Sequence, residues 1–180
     1  MKRTLHNLIL YMDFEFREYS QKKEIIAWIP SVIIFFLGAY WIINRGDFTF
    51  IDNADLVIHE AGHFFFMFFG KFIYTLGGTL MQILLPSLIA WYFFRNFYKT
   101  GVQFALLWLG QNLINISVYA ADAQERLLPL LGGSKVYHDW HYILGELGIL
   151  HFDDVVGYIF VGFSVIIFIV AILMPLIIQD

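Results

Sequence analysis

Four long apolar stretches constrain this chain more than any other feature of its sequence. They cover residues 25–44, 72–94, 101–121 and 155–178. Each matches the length of about 20 helical residues that crosses a hydrocarbon core of about 30 Å. Because a backbone in lipid must satisfy its own hydrogen bonds, such segments cross as helices. The sequence therefore predicts an all-α, polytopic helical membrane protein, and the mean hydropathy of +0.69 agrees with this prediction.

The first 24 residues have a different pattern from the four spans. Five apolar residues recur there at helical spacing, which is typical of an amphipathic helix lying on the membrane surface: Leu5, Leu8, Ile9, Met12 and Phe16. No small-residue cleavage site follows the brief apolar run, so we expect the segment to stay attached. The alternative interpretation is an arm that recruits a substrate.

Charge distribution favours a cytoplasmic amino terminus, and we expect a multi-pass protein of the cell (inner) membrane. Five basic residues precede the first span: Lys2, Arg3, Arg17, Lys22 and Lys23. The later orientation depends on a fifth apolar run, residues 57–70, which is too short to span well. If this run crosses, Arg95 and Lys99 lie outside and residues 122–154 lie inside. If it is re-entrant, these placements reverse.

The short run, VIHEAGHFFFMFFG, contains an H-E-x-x-H motif formed by His59, Glu60 and His63. On a helix the two histidines are one turn apart, so both imidazoles can bind one ion. Imidazole nitrogens suit zinc, and catalytic zinc sites keep three protein ligands with a fourth position for water. Glu60 points in a different direction and can act as a general base towards that water. The motif therefore predicts a Zn²⁺ site with Glu60 as its catalytic residue.

An ordinary packing role is the alternative for this motif. The histidines could form hydrogen bonds between helices, and the glutamate could be a neutral, protonated packing residue. However, an ionisable residue in a membrane helix costs about 2.5 to 3.5 kcal/mol on insertion scales. Three such residues within five positions require compensation, which metal binding supplies directly. We therefore favour the metal site.

The third metal ligand must come from another part of the chain. The sequence HDWH, residues 138–141, places His138 and Asp139 together, and Asp122 and His141 are further candidates. A ligand from His138 would make a three-histidine site in which Asp139 orients the ring, whereas Asp139 would give two histidines and one acid. Asp139 could instead cap a helix, and His141 could lie at the membrane interface. We predict that His138 or Asp139 is the ligand, which requires residues 122–150 to fold back beside the motif.

Polar residues within the third span suggest a cavity for a substrate. Asn112 and Asn115 can share a helix face, where their amides could bind a substrate carbonyl or an extended peptide. Hydrogen bonds between helices, worth about 0.6 kcal/mol each, are the commoner use of such residues. Gly77 and Gly78 in the second span favour close helix packing over a break in the helix.

The motif and the helix after it resemble a known family. VIHEAGHFFFMFFG followed by LGGTLMQILLP resembles the site-2 protease superfamily of intramembrane zinc metalloproteases, and LPLLGG followed by HDW is similar to a pattern in its small members. The resemblance covers residues 57–150 and implies zinc held by His59 and His63, with Glu60 activating water. The family's third ligand is an aspartate in an N-x-x-P-x-x-x-L-D-G-like segment. Residues 129–133, PLLGG, lack that aspartate.

The remaining composition limits the possible functions. The chain has no cysteine, which excludes cysteine nucleophiles and thiolate ligands. A net charge of -4 without an extended basic cluster gives no indication of a nucleic-acid partner. We expect residues 1–180 to form a single membrane domain whose partners are membrane lipids and a transmembrane or membrane-adjacent peptide substrate. The leading function is an intramembrane zinc peptidase. The alternatives are a lipid amidase similar to ceramidases, a di-iron oxygenase, or a non-catalytic metal-binding scaffold.

Overall fold

The structure is a computed structural model that describes residues 2–128 and 137–178. Within these ranges the chain forms six α-helices and no strand, which confirms the predicted all-α class. The helices are α1 (Lys2–Ile43), α2 (Phe50–Phe66), α3 (Lys71–Arg95), α4 (Lys99–Ala121), α5 (Asp139–Glu146) and α6 (Asp153–Ile177).

Four segments are long and apolar enough to cross a membrane, which confirms the four predicted spans. They are Glu24–Ile43 within α1, Lys71–Arg95, Lys99–Ala121 and Leu150–Ile177. Helix α4 is the most buried of the four and packs against α1, α3 and α6. The large apolar side chains on the outside of the bundle are exposed, as expected for residues that meet lipid.

The predicted surface helix at the amino terminus is continuous with the first span. Helix α1 runs for 42 residues without a break, so residues 2–24 extend the span and do not form a separate element. Of the predicted apolar stripe, the side chain of Met12 is described and is exposed. The side chains of Leu5, Leu8, Ile9 and Phe16 lie outside the described residues.

Hydrogen bonds at two levels show that α1 and α4 run parallel. Near one end of the bundle, the Gln103 side chain donates to Ser31 Oγ at 2.9 Å. Near the other end, the Arg45 guanidinium donates to Ser117 Oγ and to the Ser117 carbonyl, both at 2.9 Å. The C-terminal ends of α1 and α4 therefore lie at the same end of the bundle, which we call the Arg45 end.

Helix α2 is re-entrant. Helix α3 runs antiparallel to α4, since a short turn joins them and Gln82 of α3 donates to Asn115 of α4 at 3.0 Å. Helix α3 therefore begins at the Arg45 end, where α1 finishes, and α2 must leave and return at that one end. Arg95 and Lys99 consequently lie at the end of the bundle opposite the described parts of residues 122–154, which favours the re-entrant alternative that the sequence left open.

Helix α2 begins seven residues earlier than the apolar run that predicted it. Thr49 has an extended backbone, and its N–H donates to Asp52 Oδ2 at 2.6 Å, which stabilises the first turn. Asp52 and Asp55, which precede the apolar run, consequently lie inside the helix and are buried. Donors from α4 compensate for their burial, because Asn115 donates to Asp52 and Trp108 donates to Asp55.

The backbones of α2 and α3 come unusually close at three glycines. After α2, a 3-10 turn and Gly70, whose φ of +83° favours glycine, reverse the chain into α3. A Cβ atom added to Gly62 would overlap the Gly77 carbonyl group, and one added to Gly78 would overlap the His59 imidazole. Helix α3 is continuous through Gly77 and Gly78. The glycines therefore serve close packing, and they place His59 directly against α3.

Candidate metal centre

Two histidines of α2 and one aspartate of α5 bring three ligand atoms together. His59 Nε2 lies 2.9 Å and His63 Nε2 lies 3.2 Å from the same oxygen, Asp139 Oδ2. The three side chains are only 8 to 13% exposed. One ligand atom from each residue lies within 4.8 Å of the others, so the group could hold a metal ion.

Helix α3 fixes the orientation of both imidazoles. His59 Nδ1 donates to Gln82 Oε1 at 2.9 Å, and His63 Nδ1 donates to the Tyr74 carbonyl oxygen at 2.8 Å. Because each Nδ1 carries a hydrogen, the Nε2 atom of each neutral ring presents its lone pair to Asp139. Such acceptors for the second ring nitrogen are typical of metal-binding histidines, where they set the tautomer and the direction of the ring.

The arrangement requires positive charge between the imidazoles and the carboxylate. Two Nε2 lone pairs facing a carboxylate oxygen would repel it, so either protons or a metal ion must lie between them. Burial by itself raises the pKa of Asp139, but hydrogen bonds and charge interactions with His59 and His63 outweigh it and hold the pKa below its ordinary value. One oxygen of the Asp139 carboxyl group faces both Nε2 atoms and is therefore placed to serve as a ligand.

The donor set fits zinc. Two imidazole nitrogens and one carboxylate oxygen are among the ligand types that zinc takes in catalytic sites. Ligand atoms around tetrahedral zinc lie about 3.4 Å apart, as follows from bond lengths near 2.1 Å. The observed separations of 2.9 and 3.2 Å are close to that value, so small shifts of these side chains would accommodate the ion.

Of the predicted pair, the structure brings Asp139 to the motif and leaves His138 outside it. His138 is the N-cap of α5, where its Nδ1 accepts from the His141 backbone N–H at 3.2 Å. Its Nε2 donates to Asp122 Oδ2 at 3.3 Å, so both ring nitrogens are engaged. Burial lowers the pKa of His138, although Asp122 opposes the shift. The cap makes Asp139 the first residue of α5, where the Tyr119 hydroxyl accepts from its backbone N–H at 3.1 Å.

The other candidate ligands also have different partners. His141 Nδ1 donates to the Ala123 carbonyl at 2.8 Å. The Asp122 carboxylate accepts from the backbone N–H groups of Leu127 and Leu128. Residues 129–133, which lack the aspartate of the resembling family, lie outside the described residues. Among the described residues, the segment after α4 folds back beside the motif as predicted, and Asp139 is the residue it contributes.

A cavity of about 660 Å³ adjoins the centre. Its wall includes all three ligand candidates and Glu60, which is exposed. Aromatic side chains contribute much of the remaining wall: Trp41, Phe48, Tyr74, Tyr119, Tyr137 and Tyr142. Glu60 thus lies beside the histidines, free to contact a molecule within the cavity, while mixed aromatic and polar walls suit a partly apolar ligand.

The two asparagines predicted to bind substrate have different positions. Asn115 lines the cavity, but its amide already bridges two residues, accepting from Gln82 and donating to Asp52. Asn112 is fully buried away from the cavity wall and donates to the Trp108 carbonyl at 3.1 Å. Their role in substrate binding stays a prediction, and Asn115 is the one placed to contact a ligand.

Sequence reasoning missed Gln82 and the acids of α2. Gln82 is the single amide within a long apolar helix, and that isolation is the signal that could have found it. Asp52, Asp55, His59 and His63 recur at intervals of three and four residues, which places them on one side of a helix. Hydrogen bonds join these features in one chain from His59 through Gln82 and Asn115 to Asp52.

The chain matches no protein-family model, no curated protein and no solved structure. The resemblance to the site-2 protease superfamily therefore rests on the quoted motifs alone.

Proposed function

We propose that this protein is a membrane-embedded zinc metallohydrolase that cleaves peptide bonds in transmembrane or membrane-adjacent segments. The observation that carries the proposal is the convergence of His59 Nε2 and His63 Nε2 on Asp139 Oδ2, at 2.9 and 3.2 Å. The exposed carboxylate of Glu60 on the wall of the same cavity supports hydrolysis over simple metal storage.

The roles of the residues follow from their positions. His59, His63 and Asp139 would hold the ion, with Gln82 and the Tyr74 carbonyl keeping the rings in place. Zinc at such a site acts as a Lewis acid that polarises a carbonyl group and makes water more acidic. Glu60 would take a proton from the attacking water and then give it to the leaving amine.

The depth of the site supports a substrate that lies in the membrane. Helix α2 is re-entrant, and its motif packs against α3 at Gly77 and Gly78, inside a helix that is long enough to span. A peptide in a membrane helix shields its own carbonyl groups through helical hydrogen bonds. The substrate would therefore need a locally unwound segment, which glycine, proline or asparagine near the cut would favour.

Glu60→Gln tests the proposal, because the amide keeps the shape of the side chain but removes the base. We expect the variant to keep its zinc and to lose hydrolysis by about 100-fold or more. Membranes that contain the wild type, Glu60→Gln or the exposed control Glu146→Gln are incubated in H₂¹⁸O. The new carboxyl termini of the peptide products are then identified by mass spectrometry. Wild type and control should generate termini that carry ¹⁸O, and Glu60→Gln should not.

Two results would count against this function. Equal cleavage by Glu60→Gln would remove Glu60 from the mechanism. A zinc-loaded wild type that generates no new termini beyond those of Glu60→Gln would favour the non-catalytic scaffold.

A further inference from the structure

The two histidines of the candidate metal centre are oriented by different kinds of acceptor. His63 Nδ1 faces the backbone carbonyl of Tyr74 at 2.8 Å, and a carbonyl oxygen can only accept a hydrogen bond. His59 Nδ1 faces the side-chain amide of Gln82 at 2.9 Å. An amide offers both an oxygen that accepts and an NH₂ group that donates. Gln82 alone therefore does not decide which nitrogen of His59 carries the hydrogen, so another group must fix the direction of this amide.

Two further hydrogen bonds lead from Gln82 to a buried carboxyl group on α2. Gln82 Nε2 donates to Asn115 Oδ1 at 3.0 Å, and Asn115 Nδ2 donates to Asp52 Oδ1 at 2.9 Å. Each amide uses its oxygen for one neighbour and its NH₂ group for the other. Rotating one amide by 180° would thus place like groups face to face unless the next amide rotates as well. The direction of the whole chain is consequently set at one of its ends.

Asp52 is the end of the chain that cannot reverse. Its Oδ1 accepts from Gln111 as well as from Asn115, and its Oδ2 accepts from the Thr49 backbone N–H at 2.6 Å. Since Oδ1 is an acceptor, Asn115 must present its NH₂ group to Asp52. The asparagine oxygen then faces Gln82, whose own oxygen faces His59. His59 Nδ1 therefore carries the hydrogen, and its Nε2 keeps a lone pair for a metal ion.

We propose that Asp52 is a positioning residue of the metal centre, which acts through Asn115 and Gln82 to fix the tautomer of His59 that binds zinc. The inference rests on the proposed zinc site and adds a residue that acts on a ligand through two amides. Hydrogen bonds in such a chain polarise one another, so the carboxylate also makes His59 a stronger ligand.

Replacing Asp52 by Asn removes the group that fixes the direction of the chain. The Thr49 backbone N–H cannot turn round, so it keeps the single oxygen of the new side chain, and the new NH₂ group faces Asn115. Asn115 and Gln82 then rotate, and His59 Nδ1 meets a donor. We expect the zinc affinity of the detergent-purified protein, measured by competition with a chelator, to fall by about tenfold or more.

Asp153→Asn is the matched control for the loss of a buried carboxylate. Asp153 is also buried and accepts from the backbone and the side chain of Gln124, but it lies on α6 outside the chain of amides. Its zinc affinity should equal that of the wild type.

A double variant separates this role from a structural one, because Asp52 also stabilises the first turn of α2. Asp52→Asn combined with Gln82→Glu moves the carboxylate from position 52 to position 82, where the side chain can only accept from His59. We expect the double variant to bind zinc about tenfold more tightly than Asp52→Asn. If Asp52 served only to hold α2, a change at position 82 would restore nothing.

Equal zinc affinity in Asp52→Asn and the wild type, or no recovery in the double variant, would overturn this inference alone. A wild type that binds no zinc would overturn the metal centre and this inference with it. If Asp52→Asn does not fold, Asn115→Leu interrupts the chain while Asp52 stays in place. That variant should also lose zinc affinity by about tenfold or more, and unchanged affinity there would overturn the role of Asp52.

Discussion

At the residue scale, each histidine of the candidate metal centre is oriented by an acceptor that helix α3 provides. Gln82 Oε1 accepts from His59, and the Tyr74 carbonyl accepts from His63. One of these acceptors is a side chain and can be replaced, while the other is backbone. The orientation of His59 can therefore be tested by mutation without altering any metal ligand.

Replacing Gln82 by Leu should weaken zinc binding while leaving all three ligands in place. Without an acceptor, His59 loses the partner that fixes its tautomer, and losses of about 10- to 100-fold in affinity are typical of such changes. Gln82→Glu is the comparison variant, because it keeps an acceptor oxygen for His59 but replaces the donation to Asn115 by a second oxygen and adds a negative charge. Zinc affinity is measured by competition with a chelator. Equal affinity in Gln82→Leu and the wild type would show that this contact does not orient the ligand.

The sequence predicted a site at His59, Glu60 and His63 because the motif depends only on positions within one helix; the structure brings the two histidines to Asp139, and the role of Glu60 stays a prediction. It could not choose between His138 and Asp139, since adjacent residues point in different directions and the choice depends on where α5 begins. His138 caps that helix, and this local contact directs Asp139 towards α2. A contact between residues 80 positions apart has no counterpart in the local pattern.

At the element scale, the position of α2 against α3 depends on the absence of side chains at the glycines.

The positions of the four spans along the chain were predictable from the sequence, because length and apolarity alone decide which segments can cross. The start of α2 was not predictable in this way. Its first turns contain Asp52 and Asp55, acidic residues that are typical of loops. Their burial inside the helix depends on donors from α4, namely Trp108, Gln111 and Asn115, which the local sequence does not reveal.

Gly78→Ala should push α2 away from α3 and disrupt the centre. The new methyl group would overlap the His59 imidazole, and overpacking of this kind destabilises by about 1 to 3 kcal/mol. We expect a lower Tm and loss of bound zinc. Gly162→Ala in α6 is the control, because a Cβ there meets nothing within 4 Å, and its Tm and zinc content should match the wild type. Full zinc occupancy in Gly78→Ala would mean that the close approach is not needed for the site.

At the scale of the whole molecule, the re-entrant path of α2 places three loops on defined sides. The α1–α2 connection and the segment after α4 both lie at the Arg45 end, while the α3–α4 turn lies at the opposite end. Positive charges counted along the sequence did not decide between this arrangement and a crossing α2. The decision comes from helix direction, which the hydrogen bonds between distant spans reveal.

Labelling of single cysteines tests this topology cleanly, because the natural chain has no cysteine. Asp47→Cys and Glu125→Cys should react with a membrane-impermeant maleimide from the same side of sealed vesicles, and Asn96→Cys should react from the other side. All three positions are exposed. Labelling of positions 47 and 125 from opposite sides would show that α2 crosses the membrane.

Metal analysis of the purified protein tests the central claim most directly. Protein prepared in detergent without chelators should contain about one zinc per chain. Asp139→Ala should lose zinc to the same extent as His59→Ala, whereas His138→Ala should retain it, because His138 contacts Asp122 and the backbone of α5. A wild type without zinc, or an Asp139→Ala variant that keeps zinc while His138→Ala loses it, would contradict a zinc site formed by His59, His63 and Asp139.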